Sequence, residues 1–439
     1  MSIVHHKIRF LSPVSTLLLG NLFFIVIFLI SPTKVYYPPS IGAILFYIFA
    51  NIIFSIFLAF SFRFKLTYRK SITLIFDSQK VEKYLKTALI IVCIGIIFRL
   101  LDRFYVRGLD LFMSSFERKQ LIQSTDSSLF SVISAFIYPA GLFLYPLVRL
   151  FKIKSFWIWL FSILVFVYPS VDVLLTGNRG VMVVSTALYA TYLISFRDFD
   201  KKKMKLLLFL LVGFAAFLLS LYIFIERISS YGFSTYYTAN HSVYAYTIKP
   251  SDTVNQILKE TGLWSTLTFA YTNFTQYYSH GFFEWAYLYD QFQEYSHTMG
   301  LYTFYLGGKF VGFITRQSIV LDPSNIQPRS GVYTTFLGPL FVDFGFFIFW
   351  ILATFGVIIN GIRRFLTNGE VWLFPIFNYF LVVLFFFPVV NLIQNALGLY
   401  IIASFIVLYL FLRFTLNNYV QCIVGKKINL IVEFSENFK

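Results

Sequence analysis

Long, nearly unbroken apolar stretches recur along the chain, separated by short polar or basic segments, with little of the strict alternation that marks half-buried strands. Ten stretches are long enough to cross a hydrocarbon layer as helices: 14–31, 40–62, 87–102, 129–148, 156–176, 180–196, 206–225, 334–358, 371–390 and 396–412. The first follows basic residues, as a signal peptide does. It lacks a small-residue cleavage site and runs on towards a second span, so it reads as a retained helix. The pattern predicts an all-α polytopic membrane protein of about ten transmembrane helices, or eleven to twelve with re-entrant segments, and one large outer loop. Its parts are an N-terminal transmembrane bundle (1–225), the outer loop (226–333), C-terminal transmembrane helices (334–412) and a cytoplasmic tail (413–439).

Composition agrees with the pattern. Of 439 residues, 58% are hydrophobic and only 13% charged, with 57 Phe and 30 Tyr, which is more apolar surface than a soluble core of ordinary size hides. Cys93, within a span, and Cys422, in the tail, lie in different environments and do not frame a disulfide.

A formal net charge of +16 would suit a nucleic-acid partner if it were gathered on one face. Its distribution excludes that reading. With the N-terminus in the cytoplasm, the inside segments are 1–13, 63–86, 149–155, 197–205, 359–370 and 413–439. They carry net charges of +2, +5, +3, +3, +1 and +2, and the rest of the chain is neutral overall. This is the positive-inside bias, with both termini cytoplasmic and anionic inner-leaflet lipid as the partner of the basic loops.

Between Lys154 and Arg197 the only formal charges are Asp172 and Arg179, the latter within 174-LLTGNRGVMV-183. The midpoint of 155–196 falls just before Gly177, which places Arg179 at the outer apex of a helical hairpin. Gly177 and Gly180 there suit a tight turn with accessible backbone N–H groups. Two readings stand side by side: a structural arginine that snorkels or pairs with Asp172, and an anion contact.

The outer segment 226–333 is 108 residues long, too long for an idle connection, and dense in aromatics over 264–292 and 299–316. The second stretch suits an interfacial or re-entrant helix. In 277-YYSHGFFEW-285, His280 and Glu284 stand one helical turn apart, a spacing that suits a general base and its orienting carboxylate. The same pair would also fit a solvated site in an aromatic interface belt. Arg329 and Arg227 each adjoin a span on the same side, and guanidinium groups around an outer cavity suit a diphosphate. Asp343, in an apolar context, is a candidate partner for one of them. No zinc-binding or D-x-D signature occurs, so no metal or other cofactor is expected.

Together the hairpin LLTGNRGVM, the loop motif YYSHGFFEWAYL and the return 328-PRSGVYTTFLGPLFVDFGFFIF-349 resemble the bacterial O-antigen polymerase family, the oligosaccharide repeat-unit polymerases called Wzy. The resemblance spans roughly residues 90–400. It implies a type C integral-membrane glycosyltransferase of the bacterial cytoplasmic (inner) membrane, its active site facing outside. Such an enzyme moves a glycan from undecaprenyl diphosphate to the sugar of another lipid-linked unit, at times beside a chain-length regulator protein. On this reading Arg179, Arg329 and Arg227 bind the diphosphate, His280 with Glu284 serves as base, and Tyr277, Tyr278 and Trp285 offer faces to sugars. A ligase that transfers finished glycan shares the donor and the arginines. A flippase is the alternative of another class, though no internal repeat favours it.

Overall fold

Most of the predicted spans are helices in the computed structural model. It describes residues 2–59, 67–110, 113, 115–124, 128–176, 179–196, 225, 228, 232–291, 297–305, 308, 311–312, 315, 329, 332–394 and 396–424. Strand β1 (Ser2–Leu11) leads into α1 (Pro13–Ile30), and β2 (Thr33–Val35) precedes α2 (Ile41–Leu58). Next come β3 (Thr67–Phe76) and α3 (Ser78–Leu100), which runs on as π-helical turns over Leu101–Val106. After them lie α4 (Ser115–Ser124), α5 (Leu129–Ile137), α6 (Gly141–Leu150), α7 (Phe156–Thr176) and α8 (Arg179–Ser195). The long segment 226–333 holds α9 (Thr235–His241), β4 (Ile248–Pro250), α10 (Asp252–Lys259) and α11 (Leu263–Asp290). The chain then forms α12 (Leu337–Phe344), α13 (Ile348–Thr367), α14 (Phe374–Phe385), α15 (Ala396–Leu416) and β5 (Val420–Val424).

Among the described residues, six helical runs are long and apolar enough to cross a membrane: 13–30, 41–58, 78–106, 129–150, 337–367 and 398–416. The expected spans 156–176, 180–196 and 371–390 coincide with shorter apolar helices, and 206–225 lies outside the described residues. Leu29 is 74% and Ile41 77% exposed, and large exposed apolar side chains recur along α1, α2 and α3. Such a surface suits lipid. Part-buried polar contacts tie the first two helices together, with Asn21 donating to Asn51 (3.1 Å) and Tyr47 donating to Asn21 (2.8 Å).

The core gathers around α14, whose residues Phe374–Leu384 are all buried. Trp285 of α11, Phe336 and Phe341 beside and within α12, and Phe387 after α14 complete it. Two close approaches fix the packing. A Cβ on Gly20 would lie 2.2 Å from the Phe385 carbonyl oxygen, and one on Gly281 would lie 2.3 Å from that of Val389.

The chain is not purely α. β3 pairs antiparallel with β1, from Ser2↔Phe76 to Leu11↔Thr67, and with β5 from Ile72↔Val424 to Phe76↔Val420. β2 pairs with β4. The larger sheet unites three segments whose basic charge assigns them to one side, 1–13, 63–86 and 413–439. The smaller one unites the loop after α1 with the long segment 226–333. The strands escaped the sequence reading because their residues read as basic connections. A period-two signal was present all the same: Ile8 and Phe10 on β1, and Leu74 and Phe76 on β3, are buried.

Within the segment 226–333, the aromatic stretch up to Asp290 lies in the single 28-residue helix α11, not in a pair of crossings. It follows Gly262, whose φ of +132° suits glycine alone. α11 packs on α1, α2, α9, α10 and β4. Its far end is fastened by Asp290, which accepts from Tyr37 (2.8 Å) and Ser40 (2.5 Å) just before α2. Of the stretch 299–316, residues 306–307, 309–310, 313–314 and 316 lie outside the described residues.

Candidate functional site

One face of α11 is a buried polar stripe in an otherwise aromatic helix: Thr272, Asn273, Gln276, Ser279, His280 and Glu284. Spacings of three and four residues put these side chains on the same side. What covers them is the turn region between α9 and β4. Gln276 donates to the carbonyls of Ile248 (3.0 Å) and Ala239 (3.3 Å), and the Tyr244 ring lies 4.2 Å from the His280 ring, centroid to centroid.

His280 is fully buried. Its Nδ1 lies 2.8 Å from the Tyr277 carbonyl and 3.1 Å from that of Gln276. Carbonyls only accept, so Nδ1 carries the proton and Nε2 carries the lone pair. Nε2 has no hydrogen-bond partner among the described residues. Burial pushes the imidazole down to about 4, with nearby Arg329 adding to the effect and the two backbone bonds opposing it. The ring is therefore neutral at pH 7.

Glu284, the expected orienter of His280, is engaged elsewhere. Its Oε1 accepts from Arg329 (2.5 Å) and from the Thr247 hydroxyl (3.1 Å). Burial raises its carboxyl to about 7, and Arg329 and Thr247 pull against that rise. Arg329 is engaged further: its second nitrogen donates to the Val243 carbonyl (2.6 Å), and its guanidinium lies 4.0 Å over the Tyr246 ring. The tautomer of His280 is thus set by its own helix backbone, while Glu284 and Arg329 lock the covering turn to α11.

The aromatic candidates separate. Tyr277 is part-buried beside His280, Tyr244 and Tyr333. Tyr278 turns to the opposite side and packs on Phe23, Phe274 and Phe386. Trp285 is 0% exposed among Phe46, Tyr289 and Phe341, so it offers no ring face to a sugar and serves the core.

Arg179 opens α8 directly after the α7 hairpin arm, with its side chain outside the described residues, as Arg227 is entirely. Asp343 meets no arginine among the described residues. It accepts from the backbone N–H groups of Tyr302 (3.0 Å) and Thr303 (2.7 Å) and from the Thr298 hydroxyl, so a buried carboxylate pins the segment 298–303.

A second charged cluster was missed in the sequence. Asp172 of α7 meets Arg99 (3.4 Å) and Arg103 (3.6 Å) of α3 and its π-helical extension. Arg107 pairs instead with the fully buried Asp102 (3.0 Å), which also accepts from Ser128 (2.5 Å). Two close contacts assemble this cluster. A Cβ on Gly95 would lie 2.6 Å from Ile137, and one on Gly141 would lie 2.5 Å from the Val165 carbonyl oxygen. That carbonyl is the one Pro169, lacking an N–H, cannot serve within α7. The close packing brings Tyr138 under the Arg99 guanidinium (5.5 Å) and beside Tyr168. The spacing of Arg99, Arg103 and Arg107, each four residues apart, was the available signal.

No protein-family model, curated protein or solved structure matches the chain.

Proposed function

We propose that this chain is a membrane glycosyltransferase that polymerises lipid-linked oligosaccharide units, working at the end of the bundle where α11 lies and where the charge pattern puts the outside of a bacterial cytoplasmic membrane. The observation that carries the reading is His280: a buried, neutral imidazole whose tautomer leaves Nε2 as an acceptor, beneath an aromatic covering turn. A sugar hydroxyl attacks the anomeric carbon of a second glycan. A C–O bond forms, the bond from that carbon to the diphosphate oxygen breaks, and the diphosphate leaves with the electron pair. The hydroxyl proton passes to Nε2. Tyr277 supplies a ring beside the base, and the Arg329–Glu284 pair holds the turn that carries Tyr244 over it. Fixed cations stabilise the departing diphosphate.

Purified protein incubated with a defined undecaprenyl-diphosphate-linked repeat unit is expected to yield a ladder of longer glycans. His280→Ala is expected to abolish the ladder with the lipid substrate still bound. Unchanged ladder length in that variant overturns the role of His280. Transfer of one finished chain to a different lipid, with no ladder, would identify a ligase in place of a polymerase.

A further inference from the structure

We propose that Arg99 and Arg103 form a phosphate-binding site on the α3–α7 side of the bundle, one that accepts the phosphate or diphosphate head of a lipid. The argument begins with charge. Among the described residues, Arg107 is balanced by Asp102, whereas Arg99 and Arg103 converge on Asp172. The Arg103 side chain is 5% exposed and that of Arg99 16%, so among the described residues one positive charge in excess is held largely out of water. Such a charge is retained when an anion completes it.

Donors supply a second, independent observation. The Nε atoms of Arg99 and Arg103 and the hydroxyl of Tyr168 are buried without hydrogen-bond partners among the described residues. Three donors around a net positive charge match the oxygens of a phosphate, which arginine engages through paired N–H groups. The backbone supplies a third. Leu101–Val106 is wound as π-helix, with the Arg107 N–H donating to Asp102 and that of Leu109 to Arg103, and this uncommon winding recurs at functional sites. It turns Asp102 and Arg103 inward within a largely apolar helix. Exposed Phe104 and Tyr105 flank the site, as expected where a lipid head meets its chain. By contrast Arg329 is already paired with Glu284.

The phosphate chemistry stands by itself; that the lipid is the glycan carrier rests on the glycosyl-transfer reading. The test uses the full chain in a maltoside detergent, which brings no phosphate. Undecaprenyl diphosphate, phosphatidylglycerol and inorganic pyrophosphate serve as probes, read by native mass spectrometry and by thermal shift. The wild-type chain is expected to retain at least one probe, and which one it retains identifies carrier, bulk lipid or free anion as the source. Arg103→Gln leaves a neutral Arg99–Asp172 pair, so it should fold at least as well as wild type and bind at least tenfold more weakly. Arg103→Lys should bind at an intermediate level. Asp172→Asn raises the excess charge and should bind more tightly, with a larger thermal shift from pyrophosphate.

Retention of no probe, or equal binding by wild type, Arg103→Gln and Asp172→Asn, overturns the site. His280→Ala separates the two proposals. If it still binds phosphate while no preparation makes polymer, the phosphate site stands and the glycosyl-transfer reading falls. A normal glycan ladder from an Arg103→Gln chain that no longer binds removes the site from that reaction.

Discussion

Arg329 and Glu284 meet one to one over α11, whereas Arg99 and Arg103 converge on a single carboxylate, Asp172. The first arrangement is complete. Every charge has its opposite, a hydroxyl fills a further lone pair, and the Tyr246 ring covers the guanidinium. The second is incomplete, with excess positive charge and buried donors that nothing described satisfies. A finished ion pair holds structure, and an unfinished one is poised for a ligand. The difference teaches that arginine count alone is a poor guide to anion binding; the local balance of charge decides it.

Removal of a charge should therefore act in opposite directions at the two places. Arg329→Gln strands a buried carboxylate and should destabilise the chain by about 3–5 kcal/mol, less if Glu284 takes up a proton. Thermal unfolding in detergent checks this, and the contrast breaks down if Arg329→Gln is as mild as Arg103→Gln.

Acid should act through α11. Because the folded His280 is held near 4 against an ordinary 6.5, its contribution is complete above pH 6.5 and is lost as the pH falls towards 4. The loss is on the order of 3 kcal/mol if burial alone sets it. A His280→Gln chain should lack this part of the acid sensitivity, seen as a flatter dependence of the unfolding midpoint on pH. An equally steep curve in that variant would assign the loss to other groups.

Glycine substitutions separate the regions by packing. Gly281→Ala drives a methyl group into the Val389 carbonyl, and Gly141→Ala drives one into that of Val165. Each should cost about 1–3 kcal/mol. The first should impair glycan extension, and the second should weaken phosphate binding and leave the covering turn of α11 in place. Protection of the 235–250 backbone in hydrogen exchange would distinguish them. Smallest of all should be loss of the exposed Lys34–Asp252 pair, where Lys34→Ala is expected to change stability by less than about 1 kcal/mol.

Legibility in the sequence followed the same division. The apolar runs gave the long helices because hydrophobicity over about 20 residues is a signal internal to each segment. The His280 and Glu284 motif was readable as two titratable groups one turn apart, although their partners were not. Arg329 and Thr247 reach Glu284 from 45 and 37 residues away, and nothing local announces such contacts. Gly281 in the same motif proved to be a packing residue, needed where α11 meets the Val389 backbone. Arg99 and Arg103 were passed over because they sit at the end of an apolar run, where a cation ordinarily reads as a boundary marker. The approach of α5 and α7, fixed by Gly95 and Gly141, covers them, and nothing local announces it. Asp172 was noticed for its isolation, and Arg99 and Arg103 reach it from a different helix, about 70 residues earlier in the chain.

The larger sheet has a consequence for biogenesis. β1 and β3 can pair early, but the β5 partner of β3 lies about 340 residues further along the chain. At roughly 5–20 residues per second, the ribosome needs on the order of half a minute to deliver it. Until then the free edge of β3 stands open to other chains, a recognised hazard for unpaired strands. The last strand thus serves as a late clasp, closing only after the intervening helices have been synthesised, so lesions at Val420–Val424 should show first as misassembly of newly made protein, before any loss in the mature form.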